Sequence, residues 1–414
     1  MTVLRNARLV GGDQVDVVTD HGLIASVTAA GSSRATSAET DHDLNGFLLL
    51  PASADPHAHL DKALSGESVP NPAGDLLGAI EAWQQHYPLL AVDEIAGRAR
   101  RAALAGLARG YCVVRTHVDV AEAVGVKAVD ALLRVRAELT DLIDIQVCGL
   151  VSEPVTGAEG AGNRATLRRA LEMGIDVVGG APWRDPDPVG AIAFLLREAT
   201  TFERPIDLHI DETLDANILF LRDFARLVHT SGFPWGATAS HCVSLGVQGL
   251  AVQQAVAGEV AAAGISVIAN PFTNLYLQAR DLPVAPPRGL TALRSLLTAG
   301  ANLAAGTDNI EDPFNLMGRP DPLEVASLLV MAGHLSPDEA YWAVSGAARR
   351  ALGLTPVAIA VGSVADLLAV RADSLRQALA AASPDRLVFR RGELVARTTV
   401  SEWVATGRPS GLDR

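Results

Sequence analysis

The chain has 414 residues, enough for one large domain with an appendage or for two or three ordinary ones. Hydrophobic residues make up 49% and aromatics 4%, which suits a core of Ala, Val, Leu and Ile, and a formal net charge of −13 argues against nucleic acid and anionic membranes as partners. The three cysteines, Cys112, Cys148 and Cys242, read as reduced thiols, and neither a signal-peptide core nor a charge-free apolar run of about 18 residues is present, so a soluble cytoplasmic protein is expected.

In chain order, residues 1–50 give short strands punctuated by "GG", "DHG" and "AAG". Eight strand candidates follow: "GFLLLPA", "YCVVRTHVDV", "LIDIQVCGLV", "IDVVGGA", "PIDLHID", "ATASHCV", "ISVIANP" and "ANLAAGTDN". Between them lie segments with helical spacing, among them "VDEIAGRARRAALAGLARG", "VKAVDALLRVRAELT" and "ANILFLRDFARLVHTSG". Such alternation implies parallel strands with helical crossovers, and eight units favour an α/β fold of the (β/α)8 TIM-barrel type over an open doubly wound sheet. Residues 362–398 turn strand-like again, with a hairpin pattern around "RRGE". Neither end can bury a core alone. We therefore expect residues 1–50 and 358–414 to form a small composite β-sandwich beside a barrel of residues 51–357.

The stretch "PASADPHAHLDKAL" places His57 and His59 two residues apart after an apolar run. On a strand both would face one spot, as metal ligands do, although ordinary polar residues at a strand end fit the same pattern. Barrel active sites lie at the C-terminal strand ends. His57 and His59 would end strand 1, His209 and Glu212 strand 5, His241 strand 6 and Asp308 strand 8. Singly, His209 and His241 suit a core, Glu212 a helix start and "TDN" a turn. Their joint placement on one face points to a metal site.

The blocks "PHAHLDK", "RTHVDV", "LIDIQV", "DVVGGAP", "IDLHIDE", "ASH", "IANPFTNLYLQAR" and "GTDNIEDPF" resemble, in order and across the whole barrel, the amidohydrolase superfamily and within it the cytosine deaminase group. That resemblance implies that His57, His59, His209 and Asp308 ligate one divalent metal ion, zinc or ferrous iron. It further implies that Asp308, Glu212 and His241 carry out the acid–base and polarising work. Three neutral imidazoles and one carboxylate leave a divalent ion net positive, which draws the pKa of bound water towards roughly 7. Asp308 can take that water's proton, His241 can hold the oxygen, and Glu212 can protonate a ring nitrogen. Binuclear members share a bridging lysine from strand 4. Here that strand reads "IDVVGGAPW", and the chain's two lysines, Lys62 and Lys127, lie elsewhere.

Ser152 stands where cytosine deaminases have a pyrimidine-reading glutamine, with Glu153 beside it, and a hydroxyl cannot make an amide's paired hydrogen bonds. Asn309 follows the metal aspartate, and "TDNIEDP" resembles the N-isopropylammelide-type aminohydrolases of the same group. Trp183 is a candidate for stacking on a flat substrate, and Asn274 and Gln278 for polar contacts to it. Strand alternation turns Cys242 away from the face of His241. The expected function is deamination of a small-molecule N-heterocycle (pyrimidine, triazine, pterin or similar) with release of ammonia, in a homo-oligomer. Release of an alkylamine or opening of a cyclic amide by the same metal site is the alternative, and a noncatalytic scaffold of the same fold a more distant one.

Overall fold

Short apolar runs bounded by Gly, Pro or charge become strands, and the computed structural model of the chain, which describes residues 1–32 and 40–404, sorts them into two sheets. Strands β1 (Thr2–Arg8), β2 (Gln14–Asp20), β3 (Leu23–Ala29), β4 (Thr40–Asp43) and β5 (Phe47–Pro51) come first. The barrel strands are β6 (Ser53–Ala58), β7 (Tyr111–Val120), β8 (Asp144–Val151), β9 (Val177–Gly180), β10 (Ile206–Ile210), β11 (Ala237–His241), β12 (Ser266–Ala269) and β13 (Asn302–Ala305). Strands β14 (Leu367–Arg371), β15 (Arg386–Arg390) and β16 (Glu393–Thr398) then rejoin the first group.

The two chain ends make one hydrogen-bonded sheet, ordered β16-β15-β14-β5-β1-β2-β3 with β4 on β1, around its own core of residues such as Leu4, Val17, Ile24, Leu49, Leu367 and Phe389. Strands β15 and β16 are the hairpin expected at "RRGE". Of the expected end segments, residues 33–39 and 405–414 lie outside the described residues. One barrel assignment needs correction. The run "GFLLLP" is not barrel strand 1 but β5 of the small sheet, paired with β14, and the barrel begins with the next strand, "SADPHA". A run buried on both faces looks the same in either sheet, so the pattern could not choose between them.

The eight barrel strands are parallel in sequential order from β6 to β13. The ring closes where Asp308 donates its N–H to the His57 carbonyl at 2.8 Å and His59 donates to the Asp308 carbonyl at 3.1 Å. At Gly306 a Cβ would stand 2.7 Å from the His57 oxygen, so only glycine lets this seam close. Helices such as Val92–Arg109, Lys127–Glu138 and Pro188–Thr201 bury their apolar faces against the strands. Towards the N-terminal end of the barrel, Arg115 fills the interior, donating to Asp207 at 2.8 Å and Thr238 at 3.2 Å. Arg386 of the small sheet makes a paired contact, 2.9 and 2.8 Å, with Asp321, which also caps the helix Pro322–Met331 and so ties the two bodies together. Breaking such a buried pair costs about 3–5 kcal/mol.

Two helices escaped the sequence pattern, Leu76–His86 and Leu250–Ala262, and the short stretch Pro271–Leu277 after β12 is also helical. Among the described residues no helix is long and apolar enough to cross a membrane.

Candidate metal and acid–base site

The strand ends β6, β10, β11 and β13 bring His57, His59, His209, His241 and Asp308 together. The backbone bends sharply there. His241, Cys242 and Asp308 have φ of 70°, 48° and 66°, and Asp211 has 53°, a left-handed conformation that residues other than glycine adopt at a cost and that clusters at functional sites. Cys242 buries its sulfur near the Ala239 and Ser240 carbonyls, away from the cavity.

Ligand atoms about 2.0–2.1 Å from a tetrahedral ion stand about 3.3 Å apart. His59 Nε2 and His209 Nε2 are 3.2 Å apart, His59 Nε2 and Asp308 Oδ1 3.3 Å, and His57 Nε2 and Asp308 Oδ1 3.5 Å. The tautomer of His57 follows from its neighbours. Burial alone would raise Asp207, but His117 and Arg115 outweigh it and hold the carboxyl below the usual carboxylate range. An ionised Asp207 only accepts, so Ser240 must give its one proton to Asp207 Oδ1, 3.0 Å away. Its lone pair is then left for His57 Nδ1–H at 2.8 Å, which frees the buried Nε2 as a lone-pair donor with no hydrogen-bond partner among the described residues. Burial holds His57, His59 and His209 well below their ordinary pKa, so each is a neutral imidazole. This donor set fits a divalent ion. The bridging lysine of binuclear sites has no counterpart: β9 carries none, Lys62 binds Asp119 at 2.7 Å and Asp61 at 3.3 Å, and Lys127 donates to two loop carbonyls.

The two residues expected to do acid–base work, Glu212 and His241, adjoin the cluster. Glu212 Oε1 lies 3.4 Å from His241 Nδ1, and burial first, then the Asp308 charge, push the Glu212 carboxyl well above its ordinary pKa. Burial lowers His241 to about 4 against the opposing pull of Asp308. Asn270 and Asn274 hold the His241 ring at 3.4 and 3.3 Å. These groups face a cavity of about 120 Å³ whose wall includes His59, His209, Glu212, His241 and Asp308.

Of the expected substrate contacts, Ser152, Trp183 and Asn309 reach the cavity wall. Asn309 spends its amide on Asp312 at 2.9 Å. Asn274 and Gln278 stand outside the wall: Asn274 steadies His241, and Gln278 donates to the Glu212 carbonyl at 3.3 Å. The helical turn Pro271–Leu277 sets them back from the opening. The sequence reading missed His117, whose ring lies 4.0 Å from His57 and 4.8 Å from His209, and Asp119, Trp83 and Arg184 on the cavity wall. A signal for two of them existed: Arg115, His117 and Asp119 share one face of β7 by alternation.

A family model for the amidohydrolases matches residues 42–402. The chain is 33% identical to a pterin deaminase of Rhizobium rhizogenes over 93% of this chain and 88% of that protein. It is 25% identical to an N-isopropylammelide isopropyl amidohydrolase of a Pseudomonas species, over 96% of this chain and 98% of that one. The crystal structure of 5-methylcytosine deaminase from Klebsiella pneumoniae liganded with 5-fluorocytosine superposes with a TM-score of 0.88 at 30% identity, covering 97% of this chain and 99% of that one. A closed parallel barrel, three imidazoles and a carboxylate at ligand spacing, and these matches along nearly the whole length have one common reading: this chain belongs to the amidohydrolase family and is an enzyme that hydrolyses C–N bonds other than peptide bonds.

Proposed function

We propose that the protein is a deaminase that removes an exocyclic amino group from an N-heterocycle and releases ammonia. The observation that carries this reading is Glu212, a buried carboxyl on the cavity wall 3.4 Å from His241, which burial and the Asp308 charge push well above its ordinary pKa. One divalent ion, zinc or ferrous iron, held by His57, His59, His209 and Asp308, would supply Lewis acidity and make water nucleophilic near neutral pH. Asp308 turns Oδ1 towards His57 and His59, while its buried Oδ2 has no hydrogen-bond partner and is placed to take the proton of the attacking water. Glu212 gives its proton to the ring nitrogen that gathers electron density as the attacked carbon becomes tetrahedral. His241, steadied by its two asparagines, holds the oxygen on that carbon. Transfer of the proton from Asp308 to the exocyclic nitrogen then expels ammonia, and as the carbonyl forms the hydroxyl on that carbon returns its proton to Glu212, which restores both carboxyl groups.

The relatives of known name support this class, two of them by the word deaminase. The N-isopropylammelide enzyme favours a second reading, loss of an alkylamine from the same kind of carbon. Assays for ammonia and for free alkylamine, run on metal-replete protein with aminopyrimidines, aminotriazines, pterins and purines, distinguish the two. Ammonia from an amino-substituted ring with no alkylamine from N-alkyl triazines supports the proposal. The reverse result overturns it.

A further inference from the structure

We infer that Glu153 and Arg184 together, rather than Ser152, read the substrate, and that the pair fits a lactam edge: a ring N–H beside a ring C=O. The inference names a substrate class for the deaminase reading and rests on it.

Two ion pairs lie on the cavity wall, and they differ in kind. Lys62 and Asp119 are satisfied: Lys62 is fully enclosed, 2.7 Å from Asp119 and 3.3 Å from Asp61, and Asp119 also accepts from Trp83 Nε1 at 2.6 Å. Glu153 and Arg184 are not. Their closest approach is 3.6 Å, beyond a hydrogen bond, and among the described residues Arg184 is the cation within ion-pair reach of Glu153. The Glu153 side chain is 17% exposed, and burial pushes its pKa up against the pull of Arg184. Its own backbone N–H is the hydrogen-bond donor that bears on it, and burial still outweighs that bond and the Arg184 charge, so this largely enclosed carboxylate can take a further N–H that a ligand provides.

The chemistry of that ligand follows from the pair. Glu153 accepts and Arg184 donates, so the complementary edge carries a donor and an acceptor side by side. A lactam inserts between them, its N–H to the carboxylate and its C=O to the guanidinium. The pair also lies where a reacting ring would extend. The charge of Arg184 reaches Glu212, and that of Asp119 reaches Glu153. Next to Arg184 on the same wall is Trp183, whose indole N–H is buried without a partner. That side chain offers both a flat face and a further donor to a heterocycle. Ser152 offers one short hydroxyl and cannot match such an edge.

The test compares a lactam with its O-methyl ether, in which the N–H is gone and the carbonyl capped: 2-amino-4-oxopteridine against 2-amino-4-methoxypteridine, and the corresponding pyrimidine pair. Affinity is measured by calorimetry on metal-replete protein carrying Glu212→Gln, so that ligand is not consumed. The lactams should bind roughly 10- to 100-fold more tightly than the ethers. Glu153→Leu should reduce that ratio to about threefold or less, and Glu153→Gln, which keeps a carbonyl acceptor, should fall between. Arg184→Gln, at the more exposed partner, should weaken lactam binding and leave the ethers unchanged. An unchanged ratio in Glu153→Leu and Arg184→Gln, a ratio that moves only with Ser152→Ala, or no binding of either lactam overturns the inference. A lactam preference that depends on Glu153, in an enzyme that releases no ammonia from these rings, supports it while removing the deaminase reading.

Discussion

Ser240→Ala tests whether a hydroxyl outside the metal cluster sets the ligand state of His57. In the wild-type protein Ser240 accepts from His57 Nδ1–H at 2.8 Å and donates to Asp207 at 3.0 Å. Alanine leaves two buried groups unmatched, the imidazole N–H and one oxygen of Asp207, each worth about 1–3 kcal/mol. Arg115 still holds the other Asp207 oxygen at 2.8 Å, which places the total near the low end, about 2–3 kcal/mol of stability. The larger effect falls on the metal. With the Nδ1 bond gone the ring can change tautomer or rotate, and loss of such an outer partner typically costs roughly 10- to 100-fold in metal affinity. The assay is competition against a chromogenic chelator, with denaturant unfolding of the metal-free protein run beside it. Metal affinity within about twofold of wild type, in a variant that unfolds more easily by the stated amount, would refute the tautomer argument.

Glu212→Gln keeps the shape of the side chain but cannot transfer a proton, so turnover should fall about 10²- to 10⁴-fold with metal content unchanged; near wild-type turnover, or loss of metal, speaks against the assigned role. His209→Ala should lower retention from one ion per chain and activity with it, as read by elemental analysis, and two ions per chain, both required for activity, would contradict the single-ion site. His241→Asn should cost roughly 10²- to 10³-fold in kcat, the loss of one contact to the developing oxyanion. Burial raises Asp312 to about 7 despite bonds from Asn309, Phe314 and Asn315, so the folded state binds more protons than the unfolded one between about pH 4 and pH 7, and stability should fall as pH rises through that window. Asp312→Asn should flatten that part of the stability profile, measured by urea unfolding at several pH values; an unchanged slope would remove Asp312 as its source.

What the sequence disclosed depended on which periodicity carried the information. Strands β7 to β13 were legible because each is a short apolar run cut off by charge, Gly or Pro, and the runs alternate with helical spacing. Strand β6 was not, because "SADPHA" holds three polar residues and a proline and draws its burial from the barrel around it, not from its own composition. Its histidines were found through their spacing, and the strand assignment attached to them was that of the neighbouring β5. His117 went unassigned although Arg115, His117 and Asp119 alternate along β7, because that strand is buried on both faces and the apolar run around it drew the reading to the core. The contacts of Asn274 and Gln278 depend on where a seven-residue helix points them, which a motif cannot tell. The helix Leu76–His86, which brings Trp83 to the cavity, begins at a capping Asp75 whose Oδ1 accepts from Gly78 at 2.8 Å, a local signal that was available.

The arrangement of charge explains why two carboxyl groups so close together can do different work. Inside the barrel Arg115 takes Asp207, and at the cavity wall Lys62 takes Asp119 and Asp61. Neither cation makes an ion pair with Asp308 or Glu212 among the described residues, and the charges of Lys62 on Asp308 and of Arg184 on Glu212 are weaker than burial. Burial raises both of these carboxyls, and the charge of Asp308 raises Glu212 further. Asp308 faces the neutral imidazoles of His57 and His59 at ligand spacing, so a cation bound there would stabilise its ionised form and lower it again. Glu212 is set apart, beside His241, where it gains no such partner. The same burial that makes the first carboxylate depend on a metal pushes the second towards its protonated form. On the proposed mechanism one group would therefore enter the reaction as a base and the other as an acid, a separation that follows from position.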